Sequence, residues 1–216
     1  MAYNFTALEI LFSLEYLIVK LSSLTLMFLS RCSYQAREQG VKNGMFLGPA
    51  LQLCPDLRTI PYDFDGYKSV ARKLYDTVAS YTLQIQAVSC DEMLVDLTDV
   101  LRETGVSSEK FAEVLRSEIF QATSCKASVG IGPSPLLAKM ATKKAKPDGV
   151  FCLSQSEAEE FLSPMPAQSL PGVGRKMAKK LQDLFGTESC GDLQKLALDR
   201  LKGQFGLKTG QVWPLT

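Results

Sequence analysis

Apolar and polar positions recur with helical or strand periods along most of this chain, and the first thirty residues stand apart from that texture. Met1 to Ser30 is dominated by Leu, Phe, Ile and Tyr, with only Glu9, Glu15 and Lys20 charged. A transmembrane helix needs roughly 18 or more consecutive apolar residues, and Glu15 and Lys20 interrupt the best window. No basic residue precedes the apolar stretch, so it matches a secretory signal poorly. Three readings stay open: a membrane span or anchor, a packed core helix, and an unselected or alternative N-terminus. A membrane is not an expected partner.

From Cys32 the pattern predicts a helix ended by a turn at Lys42-Asn43-Gly44, then a short helix over Leu51 to Leu57 that closes near Pro55. Val70, Leu74, Val78 and Tyr81 share one face of a helix over 67–81. Leu83, Ile85 and Ala87, then Leu94, Val95 and Leu97, suit two strands, which leaves Ser89-Cys90-Asp91-Glu92 at the turn between them. Ser107 or Ser108 caps the next helix, with Phe111, Val114, Leu115 and Ile119 on its buried side. Ala127 to Gly132 is an apolar strand that ends in small residues. Ser134-Pro135 then opens a helix, because Pro at the first position lacks only an N–H that has no helical partner anyway. Leu136, Leu137 and Met140 face inward on it, while Lys139, Lys143 and Lys146 recur at helical spacing. Val150 to Leu153 gives a further strand, and Ser154 with Glu157 forms a capping box.

This alternation predicts an α+β layer with helices on a small sheet. Composition changes little: 216 residues, 46% apolar and a net charge of +1 describe an ordinary globular chain. Any nucleic-acid surface therefore depends on local clustering of Lys and Arg. Histidine is absent, which removes His-based acid–base pairs and His-containing zinc sites and leaves any such chemistry to carboxylates. The six cysteines show no Cys-x-x-Cys spacing, which argues against structural zinc and a disulfide framework and points to a reducing setting.

Three stretches carry candidate chemistry. The adjacent carboxylates Asp91 and Glu92 repel each other unless basic groups or a cation neutralise them, and hard oxygen ligands suit Mg²⁺. A solvated acidic turn is the plain alternative. Like charges at i,i+4 destabilise a helix slightly, so Lys139, Lys143 and Lys146 suggest either a solvated face or a polyanion. Leu170-Pro171-Gly172-Val173-Gly174 lies between two helical patterns, and the second carries Arg175, Lys176, Lys179 and Lys180. Backbone N–H groups at such a helix start favour phosphate. The basic residues there suit sequence-independent gripping of a nucleic-acid backbone.

In this order the stretches become recognisable. Tyr34-Gln35-Ala36-Arg37, Ser89-Cys90-Asp91-Glu92, Ser128-Val129-Gly130-Ile131-Gly132, Ala145-Lys146-Pro147-Asp148-Gly149 and Leu170-Pro171-Gly172-Val173-Gly174 resemble motifs of the Y-family translesion DNA polymerases. Cys90, with Cys32-Ser33-Tyr34, resembles the deoxycytidyl transferase branch. The resemblance runs from about Cys32 to the C-terminus. It implies partial helical fingers over 32–61, a palm with a small mixed sheet over 62–163, and a small all-α thumb with a helix-hairpin-helix over 164–216. The apolar segment 1–31 is unlike the family.

The resemblance further implies that Asp91 and Glu92 are catalytic carboxylates and metal ligands for two Mg²⁺ ions. Tyr34, Arg37 and Lys146 would hold the incoming triphosphate, expected to be dCTP, and Gly44 and Met45 would lie over the nascent pair. Gly172, Gly174, Arg175 and Lys179 would grip the DNA, while Asp96 would hold a neighbouring loop. Primer-template DNA, an incoming dNTP and other translesion polymerase subunits are the expected partners, in the nucleus. The family's first palm strand carries an Asp that ligates both metals, whereas the first Asp of this chain is Asp56. The expectation is a fragment or alternative product of such a polymerase that transfers nucleotide poorly, with a non-catalytic DNA-binding or interaction fragment as the alternative.

Overall fold

The computed structural model describes residues 7–13, 29, 31–60 and 62–206. A five-stranded mixed sheet forms its centre, in the order β2-β3-β1-β4-β5. β1 (Ala7–Ser13) is the middle strand, antiparallel to both β3 (Glu92–Asp96) and β4 (Lys126–Gly132). β2 (Ile85–Ala87) pairs antiparallel with β3 at one edge, and β5 (Val150–Cys152) pairs parallel with β4 at the other. Part of the apolar N-terminal segment is thus a strand, where the sequence pattern offered a helix. A central strand paired on both sides commonly reads as an unbroken apolar run, and so does a buried helix segment. The remainder of that segment lies outside the described residues, except Leu29, which is fully buried.

One face of the sheet packs against α3 (Phe64–Ala79) and α5 (Ser108–Thr123). Met93, Val95, Ala127, Val129 and Ile131 meet Leu74, Val78, Phe111, Leu115 and Ile119 there. The expected buried face of α5 is shifted: Val114 is 41% exposed, and Ala112 is buried in its place. Leu83, expected in a strand, precedes β2 and is 83% exposed.

The other face receives α6 (Pro135–Ala145), which connects the parallel strands β4 and β5. Its approach is close because β4 presents glycines to it. A Cβ on Gly130 would lie 2.1 Å from the Thr142 amide nitrogen, and one on Gly132 would lie 2.7 Å from that of Ala138. The expected cap is present, since the Ser134 hydroxyl accepts from the Leu137 N–H at 3.3 Å. Leu137, Met140 and Ala141 on α6 share a second core with Leu153, Leu162, Leu170, Val173, Leu181, Leu193 and Leu201. This core gathers α7 (Ala158–Leu162), α8 (Arg175–Phe185), α9 (Cys190–Gln194) and α10 (Leu198–Phe205).

A third, smaller core holds Leu29, Cys32, Ala36, Val41, Ala50, Cys54 and Leu57 around α1 (Tyr34–Glu38) and α2 (Leu47–Leu53). α2 starts four residues before the expected Leu51. A further helix, α4 (Thr98–Thr104), follows β3 and has no counterpart among the elements expected from the sequence; Gly105 ends it with φ of +66°. Asp96 acts as expected on this neighbouring segment, accepting from the Thr98 N–H at 2.9 Å. Ser154 and Glu157 are bonded to each other, but one turn ahead of α7 instead of across its first turn.

Candidate active site and nucleic-acid interface

Asp91 ends the turn after β2, and Glu92 is the first residue of β3. Each side chain is only 17% exposed, so the charge of neither is left to water alone. Arg31, just ahead of α1, places a guanidinium nitrogen 3.5 Å from Asp91 Oδ2. The Ser89 hydroxyl donates to Asp91 Oδ1 at 2.5 Å. Lys139 on α6 donates its ammonium to Glu92 Oε1. From α3, the Tyr75 hydroxyl donates to the carbonyl of Ser89 at 2.8 Å and lies 3.3 Å from that of Glu92. Burial raises the pKa of this phenol, and the negative groups of Cys90, Asp91 and Glu92 add to the effect. Three segments far apart in sequence therefore converge on this turn: Arg31 and Lys139 bring cations to the carboxylates, and Tyr75 ties down the backbone that carries them.

Two lysines of the row on α6 have partners within the protein. Lys139 is committed to Glu92, and Lys143 donates to the carbonyl of Ser169. Lys146 caps the C-terminal end of α6, about 10 Å along the helix from Lys139 at 1.5 Å rise per residue. On α1 the Arg37 guanidinium stacks over the Tyr34 ring at 5.2 Å and donates through Nε to the Cys32 carbonyl at 3.2 Å. Gly44 adopts φ of +80°, and its N–H donates to the Leu29 carbonyl at 2.6 Å. Met45 closes this small bridge by accepting from the Leu29 N–H at 2.7 Å, and it packs on the third core.

Ser169 ends a short 3-10 turn, Ala167–Ser169, which leads into the Leu170–Gly174 loop. Gly172 has φ of +82°, a conformation in which a side chain is strained. Val173 plugs the second core between two exposed glycines. Gly174 is the N-cap of α8, which has no side-chain cap and no acidic residue in its first turn. Arg175, Lys176, Lys179 and Lys180 are exposed on its first two turns. The arm before this hairpin is a single 3-10 turn, shorter than the helix the sequence suggested.

This end of the molecule, with a carboxylate turn at the sheet, α6 running from it and a glycine hairpin tied to α6, has counterparts. Residues 17–143 match the impB/mucB/samB family. The chain belongs to that family, the Y-family polymerases. Residues 168–213 separately match the thumb domain of DNA polymerase iota. Among curated relatives, the DNA repair protein Rev1 of Drosophila melanogaster is 50% identical over 184 residues, covering 85% of this chain and 18% of its own length. Rev1 of Schizosaccharomyces pombe is 43% identical over 184 residues, covering 84% of this chain and 20% of its own length. The chain thus spans about a fifth of these relatives.

Among solved structures, an insertion ternary complex of Dbh DNA polymerase superposes with a TM-score of 0.85 at 22% identity, over 95% of this chain and 65% of that one. It establishes the shared Y-family fold. The family match begins at residue 17, so β1 precedes it. β1 nevertheless stands in the middle of the sheet, with Leu11 paired to Glu92 on one side and to Ser128 on the other.

Sequence reasoning found the carboxylates but not what holds them. Arg31 and Tyr75 carried no local signal, and Lys139 stood out only as one of a basic row. Their distance from Glu92 in sequence, 47 residues for Lys139, is bridged only by the fold. Among the described residues no group of three or more His, Cys, Asp or Glu side chains could hold a metal ion. Asp91 and Glu92 offer oxygen donors of the kind divalent cations take, and in this arrangement Arg31 and Lys139 pair with them.

Proposed function

We propose that this chain takes part in DNA repair by translesion synthesis, as a part that holds primer-template DNA and the incoming nucleotide. The observation that carries the reading is the convergence on one helix, α6. Lys139 reaches the carboxylate turn, and Lys143 reaches the base of the Gly172–Gly174 hairpin. α6 thereby joins a candidate reaction centre to a candidate DNA grip. In this reading Tyr34, Arg37 and Lys146 hold the triphosphate, Gly44 and Met45 cover the nascent pair, and Gly172, Gly174, Arg175 and Lys179 grip the primer-side phosphates. The division into fingers at 32–61, palm at 62–163 and thumb at 164–216 is part of the same proposal, as is a nuclear location.

The transferred group in this reading is dCMP, supported by identity to Rev1 proteins and by Cys90 beside the carboxylates. The cofactor is Mg²⁺, with Asp91 and Glu92 as its protein ligands. Because no Asp precedes Asp56, these two carboxylates lack the third of the family's set, and no transfer step is assigned to this chain alone. Primer extension with each dNTP tests the reading. The unaltered chain is expected to add nothing measurable, and replacement of residues 7–13 by an Asp-bearing strand is expected to restore dCMP insertion. Failure of the replaced chain to insert any nucleotide would remove Asp91 and Glu92 from the proposed centre.

The basic exposed start of α8 favours a second reading, a DNA-binding fragment with no catalysis. It predicts salt-sensitive binding that persists in Asp91→Ala, and no extension even after the strand is replaced.

A further inference from the structure

We propose that Arg116 on α5 is a positioning residue for Lys146: it fastens the Lys146–Gly149 turn and so fixes where the Lys146 ammonium stands. The inference rests on the proposed role of Lys146 at the triphosphate and adds the residue through which that role is set.

Arg116 lies 30 positions before Lys146 and only 16% of its side chain is exposed, yet it directs its donors to three elements. Its Nε donates to the Ala127 carbonyl on β4 at 2.7 Å. Its Nη1 meets Glu113 Oε2 on the same helix at 3.0 Å. Its Nη2 reaches the turn itself, at 2.7 Å from the Asp148 carbonyl and 2.5 Å from Asp148 Oδ1. The turn is pinned from its other sides as well. The Asp148 N–H donates to the buried Ser128 hydroxyl at 3.1 Å, and Lys126 Nζ lies 3.3 Å from Asp148 Oδ2. The Gly149 carbonyl accepts from the Val129 N–H at 2.9 Å. Asp148 has φ of +50°, a left-handed conformation uncommon outside glycine and one that Asp tolerates better than most.

A loop that only had to connect α6 to β5 would not need its middle residue held by a planar fork from a third element. The fork suits this task because guanidinium donors are fixed relative to one another, so one side chain sets both the place and the orientation of the turn. Lysine keeps the charge but not the fork. Lys146 is two residues from Asp148 at the end of α6, so a turn that can rock moves its ammonium.

The test is a double-mutant cycle of Arg116→Lys and Lys146→Ala in the full chain, read as the equilibrium affinity for dCTP with Mg²⁺ on primer-template DNA. Lys146→Ala is expected to weaken dCTP about tenfold, the size of one charged hydrogen bond. Arg116→Lys is expected to weaken it about fivefold and to add nothing in the Lys146→Ala background, because coupled residues are not additive. Primer-template affinity should be unchanged in both.

An equal loss from Arg116→Lys in both backgrounds would overturn positioning through Lys146. No loss from Arg116→Lys while Lys146→Ala still weakens dCTP would overturn this inference alone. No loss from Lys146→Ala, or no dCTP binding by the unaltered chain, would overturn the underlying reading and this inference with it. Should Arg116→Lys fail to fold, Asp148→Asn, which tolerates the same φ, replaces it in the cycle with the same expected outcomes.

Discussion

At the scale of single residues, charge placement separates the basic side chains proposed to grip DNA from those with partners within the protein. Lys195 pairs with Asp192 at 3.4 Å on the surface and Arg200 stacks over Phe185 at 5.4 Å, so both basic residues have partners within the protein. Arg175 and Lys179 stand exposed at the uncapped start of α8. Arg175→Ala with Lys179→Ala is therefore expected to weaken duplex DNA binding and to reduce the salt slope of log affinity by about 2, one for each phosphate that is no longer neutralised. Titration against NaCl reads both.

Tyr81 supplies a pH-dependent prediction away from the site. Its hydroxyl donates to Glu118 at 2.7 Å, and this bond, then burial and the Glu118 charge, push its pKa from 10.0 up to about 12. The folded state thus favours the protonated phenol. The resulting stability is fully present below pH 10 and is lost as the pH climbs through about 12. Urea melts should show parent and Tyr81→Phe converging over that window and differing below it. A difference that persists unchanged above it would contradict the assignment.

At the scale of elements, the signals legible in the sequence were local ones. The Ser107 and Ser134 caps are bonded as expected, to the Lys110 and Leu137 N–H groups. The small residues that end β4 were legible, and the structure shows that they admit the close approach of α6. Gly130→Ala is expected to cost about 1–3 kcal/mol or more, because its Cβ would overlap backbone that cannot move alone. A thermal melt measures this. What was not legible depended on partners distant in sequence. An apolar run such as 7–13 has no helical or strand period of its own, and its pairing with β3 and β4 decides its state. Val114 repeats at helical spacing with the buried residues of α5 but sits at the rim of that face. α4 offered no apolar stripe, and none of its residues is buried.

At the scale of the whole molecule, the fold brings the carboxylate turn, α1, α6 and the thumb hairpin into one connected arrangement. The motifs named these parts in order along the sequence. They did not show that Arg31 and Lys139 would neutralise Asp91 and Glu92, nor that α6 would share a core with the thumb. In the proposed reading, DNA held by the hairpin needs no metal at the carboxylates. Removal of Mg²⁺ with a chelator should therefore leave duplex affinity unchanged at constant ionic strength, by the same binding titration.

The central proposal is that this chain grips nucleic acid as a Y-family polymerase would, while nucleotide transfer needs the Asp that the resemblance implies for the first palm strand. Single-nucleotide primer extension by the unaltered chain, beside a chain with an Asp-bearing strand in place of residues 7–13, tests it most directly. A DNA-bound but unextended primer is expected for the first and dCMP addition for the second. Extension by the unaltered chain that disappears in Asp91→Ala would contradict the claim.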